Sequence, residues 1–255
     1  MSIFLRSIHL PPLSSILALA VLFVSCKSSA DPKIQKQAEH ESQVNTQVDT
    51  QVDTTASTSP LEEAAPAPYA LDAISREVSP RGKVKCPKLP LISYRGEHVN
   101  YHKPVTIHPA FKERLASFEL LVKEVALEVY GRAPHKIRHL GTYNCRRIGG
   151  NRTLLSEHSF GNGIDVASFS FPRLKRGEKL PEGVPRSLRR AFTVDMLKHW
   201  NAQRKAKGLH QRFLHMLGRR LIESKIFRVL LGPSFPGHKN HFHLDCAPYD
   251  VISIF

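Results

Sequence analysis

The chain has 255 residues, with 37 Lys and Arg against 22 Asp and Glu, 14 His, 18 Pro and 4 Cys. That length allows one sizeable domain with a tail, and 41% apolar residues exclude both a wholly disordered chain and a polytopic membrane protein. The charge is uneven. The segment up to Ser75 carries a net −4, so the remainder holds +19 of the total of +15, and such a region prefers a polyanionic neighbour: nucleic acid, an anionic lipid surface or an acidic wall polymer.

Residues 1–25 begin with Arg6 and no acid, followed by an apolar run from Ile16 to Val24. The run is too short to span a bilayer as an anchor but suits a secretory signal peptide. It ends in Leu22-Phe23-Val24-Ser25-Cys26, which resembles the bacterial lipobox, although Phe23 departs from the usual aliphatic residue. Export is expected, with Cys26 as a lipid anchor and simple secretion as the alternative. Residues 26–80 are rich in Gln, Thr, Ser, Glu, Pro and Ala and contain the tandem Thr46-Gln47-Val48-Asp49 and Thr50-Gln51-Val52-Asp53. Such a stretch lacks the apolar side chains that offset ordering entropy, so it reads as a disordered tether before a domain at 81–255.

Cys86, Cys145 and Cys246 then remain. Two can pair in an oxidising compartment, and the sequence does not say which.

Within the domain, Phe111, Leu115, Phe118, Leu121 or Val122, Val125 and Val129 recur at helical spacing, predicting a helix over Pro109–Tyr130 stopped by Gly131. Ile137–Tyr143 reads as a strand, then Asn144–Arg152 as a polar loop. Gly163–Ser170 reads as a second strand, and Phe171–Pro185 as a basic loop. Arg186–Ser224 reads as largely helical with a break near Gly208, its Arg186–Arg190 run forming a solvated helix face. Phe227–Leu231 and His241–Leu244 read as two more strands. The expected class is α+β, a small antiparallel sheet flanked by helices.

Two segments carry the chemistry. In Ser156-Glu157-His158-Ser159-Phe160-Gly161-Asn162-Gly163-Ile164-Asp165 the glycines let the chain fold back and aim His158 and Asp165 at one point. In His238-Lys239-Asn240-His241-Phe242-His243-Leu244-Asp245, alternation on a strand projects His241 and His243 to one face while Phe242 and Leu244 enter the core. Two imidazoles and one carboxylate leave a fourth tetrahedral position for water, the open arrangement of catalytic zinc. Asp245 is placed to orient a histidine.

Ser156-x-His158-x-x-Gly161-x-x-x-Asp165, joined to His241-x-His243, resembles the signature of zinc peptidases related to lysostaphin, the D-alanyl-D-alanine peptidases and the hedgehog fold. Within that group, Gly141-Thr142-Tyr143-Asn144-Cys145-Arg146-Arg147 and the two segments above are similar to the bacterial extensin-like C-terminal family, over roughly residues 83–250. Gly163 stands where many relatives have alanine. The resemblance implies a peptidase acting on peptidoglycan, with Zn2+ held by His158, Asp165 and His243. It implies catalytic roles for His241 beside the reacting centre, for His238 as a further active-site histidine, and for Arg146 (or Arg147) as a holder of a substrate carbonyl or carboxylate. The dipeptidases of the group carry a glutamate three residues before the last ligand. Here that position is Asn240, which leans toward the endopeptidase arrangement.

The expected setting is the periplasm or cell envelope, with the lipid on the outer membrane and peptidoglycan as the partner. A non-catalytic, zinc-containing wall-binding module is the alternative. Nucleic acid is not expected as a partner, since no motif accompanies the charge.

Overall fold

The computed structural model describes residues 68–255. The signal segment, Cys26 and the spacer as far as residue 67 lie outside the described residues. In chain order the elements are β1 (Ile92–Tyr94), β2 (Asn100–Tyr101), β3 (Val105–Ile107), α1 (Pro109–Tyr130), β4 (Lys136–His139), β5 (Gly163–Phe171), β6 (Phe192–Asp195), α2 (Met196–His199), α3 (Lys205–Ser224), β7 (Val229–Leu231), β8 (Phe242–Asp245) and β9 (Val251–Ser253). Short 3-10 turns occupy Glu157–Phe160 and Arg186–Arg189.

The helix α1 forms where its apolar spacing predicts. His108 caps its N-terminus by accepting the Ala110 amide, Pro109 occupies the first turn, and Gly131 ends it in the left-handed region at φ 67°. Its stripe of Phe111, Leu115, Phe118, Val122, Val125 and Val129 is buried against the same core as Phe213, Leu214, Leu217 and Leu221 of α3. Glu119 is also buried in this helix. It accepts the amides of Glu97 and His98 and the hydroxyl of Tyr94, so its charge is held by donors while it fixes the loop before β2.

The sheet is larger than expected, and it is mixed. Seven strands run in the order β2-β4-β5-β8-β7-β9, with β6 also on β5; β2 pairs with β4, and β7 with β9, in parallel. Of the extra strands, β2 and β9 have two and three residues, too few for alternation to register in sequence. β1 and β3 form a separate antiparallel pair. The long strand β5 is central: β4 lines one side, while on the other β8 pairs with Gly163–Val166 and β6 with Ser168–Phe171.

The helix expected over residues 186–224 is not continuous. Phe192–Asp195 is a strand, because Phe192 pairs with Phe171 and stacks on it at 4.7 Å and 12°, and Val194 is buried. Asp195 then caps α2 by accepting the Lys198 amide. The break between helices falls at residues 200–204, and Gly208 lies inside α3.

Ile164, Val166, Phe242 and Leu244 point into the core beneath the helices. Their neighbours Asp165, His241, His243 and Asp245 therefore share the opposite face. Residues 69–78, which composition assigns to the spacer, pack on the domain. Leu71 is buried with Leu155 and Phe160, Tyr69 donates to Asn162 Oδ1 at 2.5 Å, and Arg76 forms a buried ion pair with Glu157 at 2.8 Å. Cys86 and Cys145 form a disulfide, leaving Cys246 free and buried; a structural disulfide points to an extracytoplasmic location. Among the described residues no helix is long and apolar enough to cross a membrane.

Candidate metal centre

Strand register builds most of the site. Asp165 on β5 sits directly across from His243 on β8, so the two side chains meet on one face. The pair Gly163 and Asp245 follows in the same ladder, and the glycine leaves open the space beside Asp245. His158 comes from the 3-10 turn Glu157–Phe160, which Gly161 closes at φ 64°. That glycine cannot be replaced cheaply: a Cβ there would lie 2.7 Å from the His108 amide nitrogen. Leu140 donates to the Asp165 carbonyl, Asp165 to the Gly141 carbonyl and Asn144 to the His158 carbonyl, tying the segment before Cys145 to the ligand-bearing chain.

Three atoms converge. His158 Nε2 and His243 Nδ1 are 3.2 Å apart, Asp165 Oδ1 is 2.9 Å from His243 Nδ1, and it is 3.3 Å from His158 Nε2. Ligands of a tetrahedral ion with bonds near 2.0–2.1 Å are separated by about 3.3 Å, so the triangle has the size such an ion requires. The other ring nitrogens are engaged: His158 Nδ1 donates to the Thr142 carbonyl, and His243 Nε2 donates to Asp245 Oδ2 at 2.6 Å. Each imidazole therefore turns its other nitrogen to the common point, the arrangement in which an outer partner selects the tautomer of a metal-binding histidine. His158, Asp165 and His243 form a group that could hold a metal ion.

The electrostatics agree. Burial opposes charge on both Asp165 and His243, but hydrogen bonds override it. Asp165 is held well below the usual carboxylate range by His158 and His243, and His243 is carried up to about 9 by Asp165 and Asp245.

A cavity of about 610 Å³ reaches Asp165 and His243 of the triad and is also lined by Arg146, His238 and His241 among others. His241 Nε2 is 3.6 Å from Asp165 Oδ1, while its Nδ1 donates to Asn240 Oδ1 at 2.8 Å. Burial, partly opposed by Asp165, pushes the His241 pKa down to about 4. His238 donates from Nδ1 to the Pro236 carbonyl, its ring 4.7 Å from that of His241 and 5.9 Å from that of His243. Its pKa is lowered, first by burial. Arg146 is anchored through its amide to Ser159 Oγ. Arg147 turns away, donating to the carbonyls of Ser79 and Gly82, so of the two arginines only Arg146 lines the cavity.

Some contributors carried no sequence signal. Thr142 acts through its backbone carbonyl, which no side-chain pattern reveals. Leu231, Phe235, Tyr249 and Val251 form the apolar wall of the cavity, partly from the three-residue β9. Arg76 and Asn162 support Glu157, the residue before the first ligand, from 81 and 5 positions away.

No curated protein and no solved structure matches the chain. The family model described as "Extensin-like protein C-terminus" matches residues 69–193, which takes in the segment packed before residue 80 and both His158 and Asp165. The second histidine segment lies beyond the match, joined to the first by the pairing of β5 with β8. Over residues 69–193 the chain belongs to the extensin-like C-terminal family.

Proposed function

We propose that the domain is a zinc-dependent peptidase of the cell envelope that hydrolyses an amide bond in peptidoglycan peptides, of the endopeptidase type. The observation that carries this reading is the triangle of His158 Nε2, Asp165 Oδ1 and His243 Nδ1, two of whose residues, Asp165 and His243, line an open cavity. Two nitrogens and one carboxylate oxygen suit zinc better than the oxygen-rich sites of calcium or magnesium. The resemblance of the paired histidine segments to wall peptidases supports the substrate class. The basic surface fits a carboxylate-rich mesh, and a lipid on Cys26 would keep the domain at the outer membrane.

When bound, the ion supplies Lewis acidity toward a carbonyl and brings a water pKa toward neutrality. The protein does the rest. With Nδ1 committed to Asn240, His241 presents a bare Nε2 to the cavity, where it can take and return one proton. His238, with Nδ1 engaged at Pro236, offers a second Nε2 on the same side. Arg146 can hold a peptide carbonyl or carboxylate by charge-assisted hydrogen bonds. Phe235, Leu231 and Val251 exclude water from one wall.

Incubated with purified peptidoglycan, the protein should release new amino groups, stop doing so with a chelator, and resume with added zinc. Mass spectrometry of the fragments identifies the bond. Unchanged release by His158→Ala and His243→Ala would overturn the proposal.

Asn240, in the position where a glutamate base serves in related dipeptidases, favours a second reading: a non-catalytic module in which zinc pins the fold and the surface holds the wall. Stoichiometric zinc without turnover, together with undiminished wall retention by His241→Ala, would select it.

A further inference from the structure

A second cavity, of about 620 Å³, is lined by Arg173, Lys175, Arg176, Arg189 and Arg190 with Leu174 and Ala191. It lies past the C-terminal end of β5. The six residue steps of extended strand from Asp165 to Phe171 place it about 20 Å from the candidate metal centre, so it belongs to a different site. The sequence suggests a solvated helix face at Arg186–Arg190. Instead a 3-10 turn and the start of β6 fold back over the loop after β5 and bring five cationic residues around one space.

Like charges do not gather without restraint, and the restraints are visible. The Leu174 amide donates to the Arg189 carbonyl at 2.9 Å, joining the two walls. Arg132, buried behind them, donates to the carbonyls of Leu188 and Arg190 and lies over the Phe192 ring at 4.8 Å. Among the described residues none of the five cations is ion-paired; the nearby Glu178 accepts the Lys175 backbone amide. The walls are held by backbone contacts, and the cationic side chains stay free.

We infer that this cavity binds a multiply phosphorylated anion. Four of the five cations are arginines, whose planar forks match tetrahedral oxyanions bidentately. A phosphate brings up to two charges where a carboxylate brings one, so two phosphates can answer five cations within a space of this size. The inference stands whether or not the metal centre is catalytic.

The test is titration calorimetry of the full-length protein with inorganic tripolyphosphate at two salt concentrations. The expected result is saturable binding that weakens with salt. Arg173→Gln and Arg189→Gln should each lower affinity roughly tenfold, the worth of one charge-assisted contact. Arg212→Gln and Arg219→Gln on α3 should leave it unchanged, and melting curves confirm that all four variants fold. Citrate, with three carboxylates, should bind at least tenfold more weakly. Equal loss in the α3 variants, citrate binding as tight as tripolyphosphate, or no binding would overturn the inference. Flotation with phosphatidylcholine vesicles, with and without a bisphosphorylated lipid, separates the sources. Arg173-dependent capture identifies a membrane headgroup, and capture that never exceeds the phosphate-free control identifies a soluble polyphosphate.

Discussion

His243 donates from Nε2 to Asp245 Oδ2 at 2.6 Å, and this bond determines which nitrogen faces the cavity. With Nε2 committed to Asp245, Nδ1 is the nitrogen left facing Asp165 and His158, where it can give its lone pair to an ion. An aspartate outside the ligand set thus controls the basicity and tautomer of a ligand. Asp245→Asn keeps an acceptor but loses the charge, and zinc affinity measured by competition with a chromophoric chelator should fall roughly 10–100-fold. Asp165→Asn should lose more, because it removes a charged ligand.

Metal binding should be visible in stability. If only the folded state holds the triad, zinc at 100 times its dissociation constant raises unfolding free energy by about 2.7 kcal/mol, reversed by chelator. Urea titrations of the wild type should show this gain, and His158→Ala should lack it.

The disulfide closes a loop with a sequence separation of 59. Chain-entropy reasoning assigns such a closure about 4 kcal/mol. Cys86→Ser with Cys145→Ser should lower unfolding free energy by about that amount. Arg146 follows Cys145 directly, so the loss also frees a wall of the cavity.

The ion pair of Arg76 with Glu157 is buried at both ends, with side chains 7% and 2% exposed. Removing one partner strands the other, at a cost of about 3–5 kcal/mol. Arg76→Ala, or a chain that begins at Lys83, should show that loss in urea titrations relative to a chain beginning at Pro68. Glu157 precedes the candidate ligand His158, so zinc affinity should fall with it.

His210 is buried on α3, accepts the Tyr130 hydroxyl at Nδ1, and has its pKa pushed down to about 4 by burial and by His199. The unfolded chain takes this proton near pH 6.5. Stability is therefore complete above 6.5 and declines as pH falls toward 4, by on the order of 3 kcal/mol for this group. His210→Asn keeps an acceptor for Tyr130 without the titration. Its urea midpoint should fall less than that of the wild type between pH 7 and 4.

Much of this was legible in the residues. The spacing of Phe111 through Val129 and the stop at Gly131 place α1, and the apolar residues Ile164, Val166, Ala167 and Phe169 place β5. His158, Asp165 and His243 are readable because their chemistry is local: a turn with two glycines, and a strand with paired imidazoles. What was not legible depends on partners distant in sequence. Phe192 looks helical among Arg186–Ser224 until Phe171 is set against it, and Val251–Ser253 becomes a strand only beside β7. The segment 69–78 reads as spacer by composition because Leu71 and Arg76 acquire their value from Phe160 and Glu157. Three cysteines allow three pairings, and only the fold selects Cys86 with Cys145.

Gly163 bears on how tightly the histidine is held. A methyl group at that position would press on Asp245 Cβ at 3.2 Å, while meeting His243 Cε1 in ordinary contact at 3.6 Å. With hydrogen alone there, Asp245 keeps its seat beneath the imidazole without being pushed aside by the facing strand.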